Sequence, residues 1–117
     1  MTIEISGATK ITDTSSNQIK AIKSLTQTIS SITEYTSNIV SVAPSTVDLA
    51  LPLTLVGTSK FVLIASDIAI SVKLNSATTP ITIAAGGSLV LNGGVTSISV
   101  SNDSVETAAN VEFIVAS

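Results

Sequence analysis

Nineteen serines are the most numerous candidate nucleophiles in this chain, and none is a credible one. A serine hydroxyl attacks only when a neighbouring group takes its proton, and histidine, the usual partner, is absent. Lysine could replace it, yet no Ser-x-x-Lys opens a helix. The nearest carboxylates in sequence are Asp103 with Glu106 or Glu112, a pair that would suit glycosidase-type acid/base work if both faced one sugar ring. Solvated charges on a turn and a strand face are the simpler reading. Asp13-Thr14-Ser15 approaches the aspartic-protease triplet but lacks its glycine. Asn102, Asp103, Ser104 and Glu106 offer oxygens to calcium but match no twelve-residue calcium loop. Gly86-Gly87 and Gly93-Gly94 are followed by neither a helix pattern nor a lysine, so they read as hairpin turns and not as phosphate cradles. Tyr35, Phe61 and Phe113 are too few to stack bases, and the two phenylalanines are core candidates. The sequence therefore predicts no catalytic residue, no cofactor and no metal site.

Composition points the same way. Cysteine, tryptophan and arginine are missing along with histidine, which removes disulfides, thiolate and imidazole ligands, and guanidinium forks for phosphate. The net charge of -3 is unevenly spread. Residues 1–46 balance Lys10, Lys20 and Lys23 against Glu4, Asp13 and Glu34, whereas residues 47–117 set Lys60 and Lys73 against Asp48, Asp67, Asp103, Glu106 and Glu112. An acidic body repels phosphate, so no nucleic-acid partner is expected. Glu4 stands where a secretory signal would be basic, and the apolar runs 49–56 and 61–65 are far shorter than the roughly 20 residues that cross a bilayer. No membrane partner is expected either. A mean hydropathy of +0.61 argues for a packed core in a single domain.

The elements that would position these residues follow a period of two. Val47, Leu49, Leu51, Leu53 and Leu55 share one parity, a strand pattern that Pro52 confines to a sheet edge or splits in two. Residues 60–65, a continuous apolar strand, then 68–74, which alternates, and 81–84, 88–91, 95–101 and 110–116 continue the series of strands, separated by glycine, proline, asparagine and serine turns. Even spacing near ten residues predicts an all-β fold with a β-sandwich or jelly-roll-like body over 47–117.

Residues 1–46 form an N-terminal arm or docking segment in which two periods compete. Thr2 to Ser6 alternates like a short strand. Ile22, Leu25, Ile29, Ile32 and Ile39 fall at helical spacing, yet the residues between are largely serine and threonine, which disfavour a helix. The arm is expected to be extended, with a partly helical form as the alternative. Its few charges suit a segment that docks on a neighbour, so Ile22, Leu25, Ile29, Ile32, Tyr35 and Ile39 are the candidate interface residues. A small core with three aromatic residues also favours a homo-oligomer.

In Phe61 to Ala65, Ile68 to Asn75, Pro80 to Leu91 with its glycine pair, Val95 to Asn102 and Asn110 to Val115, the chain resembles small β-sandwich virion proteins of tailed bacteriophages, capsid decoration or cement proteins above all. The resemblance rests on the order of apolar strands and glycine turns over about the last 60 residues. It implies a trimer on the outside of a virion that binds the major capsid protein or other virion subunits, made in the host cytoplasm and lacking an active site. Tail, neck and fibre parts carry similar modules, and a trimeric stalk built on residues 22–39 would suit one of them. A cell-surface carbohydrate-binding module would need exposed aromatic residues that this chain scarcely has.

Overall fold

The computed structural model describes all residues except 54–56, together with the side chains of all residues outside that gap except Thr9 and Leu25. Among the described residues the chain is all-β, with ten strands in three antiparallel sheets and no helix. It divides into two compact units, residues 1–32 and residues 33–117.

The first unit is a single long hairpin. Strand β1 (Ile3–Asp13) pairs with β2 (Gln18–Ile29) from Ile3 opposite Ile29 to Asp13 opposite Gln18, with one irregularity after Ile11. The expectation of a partly helical arm is therefore corrected. Serine, threonine and isoleucine fit a pleated strand better than a helix, and tertiary pairing decides between the two periods. The reversal at residues 14–17 is set by Asp13, whose carboxylate accepts the amide and hydroxyl of Ser15 at 2.9 and 2.6 Å, and by Asn17 at φ 55. Both are standard devices of asparagine and aspartate in turns. At the open end, Met1 and Ile32 close the ribbon through their main chains at 2.7 and 3.1 Å.

The second unit begins at Thr33, ahead of the boundary expected at Val47, because β3 (Tyr35–Val42) pairs along its whole length with β10 (Ala109–Ala116). The first four-stranded sheet runs β3-β10-β5-β8, with β5 at Phe61–Ser66 and β8 at Ser88–Leu91. The second runs β4-β9-β6-β7, from Leu49–Ala50 through Ile98–Ser101 and Ile70–Leu74 to Ile81–Ile83. Alternate residues of both sheets meet in one core: Val62 and Ile64 of β5, Val111, Phe113 and Val115 of β10, Ile70 and Val72 of β6, Ile98 and Val100 of β9. The alternation read from sequence for 68–74 fills it from β6, and the continuous apolar run read at 60–65 turns Val62 and Ile64 into it from β5. Phe113 is central to that core. Phe61 is buried too, but its parity in β5 is that of the opposite face and it stands outside the cluster.

Among the described residues the run from Val47 forms only the two-residue strand β4 at a sheet edge. Leu51 and Leu53 are buried on either side of Pro52, and the Leu51 amide donates to the carbonyl of Ile98 in β9 at 2.9 Å, while Leu55 lies outside the described residues. Proline has no amide to donate, which ends the ladder where the sequence placed the break.

Candidate functional site

Two surfaces stand out from the polar remainder. The first belongs to the ribbon. Partners across an antiparallel pair share a face, so Ile3, Ile5, Ile11, Ala21, Gln27 and Ile29 lie on one side and Glu4, Ser6, Lys10, Ile22, Thr26 and Thr28 on the other. Ile3, Ile5 and Ile29, near the open end, are half-buried. Towards the turn, Ile11, Ile19 and Ile22 remain 58%, 55% and 61% exposed. Isolated apolar residues on a surface are ordinary, but three in one two-stranded ribbon give it little to fold around.

The second surface is the outer face of β3 and its neighbours. Tyr35 and Ile39 are 60% and 61% exposed on the same side of β3, and register carries that side across Ile114 of β10 and Leu63 of β5 to the exposed Val90 of β8. Glu112, opposite Ile39, is the one charged side chain on that face of β3 and β10. Of the expected interface residues, Tyr35 and Ile39 thus come together in the second unit. Ile22 and Ile29 fall on opposite faces of the ribbon, Leu25 pairs its main chain with Gly7, and Ile32 is buried at the ribbon's end. The side chain of Leu25 lies outside the described residues. Helical spacing aligned these positions in sequence. A strand, with its period of two, separates them.

The carboxylates do not assemble into acid/base machinery. Asp103 lines a surface hollow of about 390 Å³ beside β6, with hydroxyls of Ser71, Thr82, Ser104 and Thr107 and no second ionisable group. Glu112 borders a different hollow, together with Asp67. Asp67 is already committed. It accepts the main-chain amide of Asn110 at 2.8 Å and the Asn110 side chain at 3.1 Å, which hold its carboxyl below the ordinary carboxylate value despite an opposing desolvation effect. Asp13 is lowered likewise, by the hydroxyl and amide of Ser15 and then by Ser16. Among the described residues no three acidic side chains converge on a metal position.

One residue read from sequence as part of a polar turn has another role. Asn102 is completely buried. Its amide nitrogen donates to the carbonyls of Val42 at 3.1 Å and Thr107 at 2.9 Å, and its oxygen accepts the amide of Ser104 at 3.1 Å. The turn it anchors, through Asp103, Val105 and Glu106, is exposed as expected. A carboxamide both gives and takes hydrogen bonds, so asparagine suits a site flanked by carbonyls and an amide. Comparison with known proteins returns no matching family model, no matching curated protein and no matching solved structure.

Proposed function

We propose that this chain is a structural assembly protein that works by adhesion and transforms no substrate. The observation that carries the reading is the ribbon: strands of 11 and 12 residues with isoleucines exposed on both faces. A two-stranded hairpin is marginal in water by itself, so a ribbon of this length gains its stability by burying those isoleucines against a larger body. Composition supports the same view, since a chain with no histidine, cysteine or arginine has lost most groups used for proton transfer, nucleophilic attack and phosphate recognition.

In its specific form, resting on the resemblance in the second unit, the protein is a capsid decoration subunit with a jelly-roll-like sandwich body. It sits as a homotrimer on the outside of a bacteriophage head, with major capsid protein as its partner. The ribbon docks on the shell and bridges capsid subunits, and many weak bridges repeated over the surface raise the cost of separating them. The acidic body favours the outer surface over contact with packaged DNA. Peptide counting by mass spectrometry on intact particles purified from the source of the gene tests this. Hundreds of copies per particle are expected. A dozen or fewer would replace the shell with a tail, neck or fibre position, and absence from particles would overturn the virion reading.

A further inference from the structure

Among the described residues the second unit has four edge strands, and they are unequal. Strands β4, β7 and β8 present only 2, 3 and 4 residues, short enough to discourage pairing. Strand β3 presents 8. Residues 35–42 include no charge and no proline, and their register against β10 has no bulge. Lysine, proline and bulges are the usual guards of a sheet edge, and β3 has none of them.

The direction of its main chain is also fixed. Glu34 and Ser117 exchange two hydrogen bonds, at 3.2 and 2.9 Å, so residues of even number turn towards β10. The amides and carbonyls of Tyr35, Ser37, Ile39 and Ser41 therefore point to the open side. The amide of Ile39 confirms this, because it is taken at 2.8 Å by the side chain of Asn38 and not by a strand.

We propose that two copies of this chain join through β3, edge to edge and antiparallel about a two-fold axis at Ser37. In that register Ser37 meets Ser37 of the second copy in a hydrogen-bonded pair. Tyr35 of each copy lies beside Ile39 of the other, the aromatic and β-branched pairing that stabilises sheets. The amide of Ile39 exchanges Asn38 for a Tyr35 carbonyl. A second copy fits because the segment is self-complementary and brings no charge against its like. The nearest repeated charge, Glu112, sits one strand inward on each side. Three strand spacings across and four residues along, the two carboxylates are then about 20 Å apart, beyond the roughly 8 Å over which salt lets surface charges act. An isologous contact of this kind closes on itself.

The contact is small. In that register residues 35–39 of each copy overlap, a stretch about 17 Å long and roughly 10 Å deep that buries about 350 Å² over both copies, less than the roughly 1,200 Å² of a stable pair. It is transient between free molecules and persists where copies are arrayed side by side. Because the chain has no cysteine, a single introduced thiol reports it cleanly. Ser37→Cys, oxidised at high protein concentration, is expected to form a disulfide dimer about tenfold faster than Ser76→Cys in an exposed turn. Ser41→Cys, on the same side of β3 but far from its copy, is expected to match Ser76→Cys. Adding Ile39→Lys to Ser37→Cys is expected to bring its rate to that level, with the circular dichroism of the fold unchanged. Equal rates for Ser37→Cys and Ser76→Cys, or rapid dimerisation of Ser41→Cys, overturn the proposal. Particle assembly without Ser37 cross-linking would overturn it and leave the adhesive role of the ribbon standing.

Discussion

Replacing Asn102 with alanine tests the architecture of the second unit at the point where three segments meet. The side chain ties the end of β3, through Val42, to the turn that carries Ser104 and Thr107, while its own main-chain amide donates to Thr46 at 2.9 Å. Alanine removes three good hydrogen bonds and keeps the main-chain one. At about 1 kcal/mol net for each, the loss is about 3 kcal/mol, a large share of the roughly 5–15 kcal/mol that holds a domain together. A unit of this size then melts roughly 12–24 °C lower. Asn102→Asp keeps the shape but sets a carboxylate against the Val42 and Thr107 carbonyls, and is expected to cost at least as much at neutral pH. Asn92, exposed in a glycine turn, serves as the control, with alanine there changing stability by no more than about 0.5 kcal/mol. Thermal or urea unfolding followed by circular dichroism gives the numbers. A drop below about 4 °C for Asn102→Ala would refute the view that this residue staples the unit.

Phe113→Ala empties the centre of the shared core and is expected to destabilise the second unit by about 3–5 kcal/mol in the same assay; a cost under 1 kcal/mol would mean the two sheets do not share one core. The lowered carboxyl of Asp67 stabilises the fold at neutral pH. Its folded value lies below its unfolded one, so the contribution is present above about pH 4 and is lost as pH falls through the folded value. Asp67→Asn should therefore flatten the acid limb of the stability profile, and an unchanged limb would show that Asn110 does not hold the charge. In the isolated chain, the amides of β1 and β2 are expected to exchange hydrogen much faster than those of β10 and β5, measured by mass spectrometry. Equal protection would show a ribbon that is stable without a partner.

The second unit was largely legible because most of its strands turn alternate residues into one shared core. Ile70, Val72 and Leu74 alternate with Ser71 and Lys73, and Phe113 and Val115 alternate with Glu112 and Ile114, so burial is written into every second residue. Pro52 announced its own edge. What local pattern could not supply was the long-range pairing of β3 with β10, which joins residues 35–42 to the body across more than sixty positions of chain. Asn102 escaped for a related reason. Nothing in Asn102-Asp103-Ser104 separates a solvated turn from a buried anchor until the carbonyl of Val42 is brought to it.

The ribbon was ambiguous in sequence for a physical reason that bears on its role. Its serines and threonines oppose a helix but supply little apolar area, and its isoleucines lie on both faces, so neither face is apolar enough to define a core. A segment selected to fold by itself resolves that ambiguity by placing its apolar residues on one side. One that folds against a surface has no such need, because the surface supplies the missing half of the core. Edge β3 shows the same trait in the second unit, where Tyr35 and Ile39 remain outside and neither a charge, a proline nor a bulge guards the edge. Stability withheld from the single chain at both places would become available on contact, which is the energetic condition that the proposed adhesive role requires.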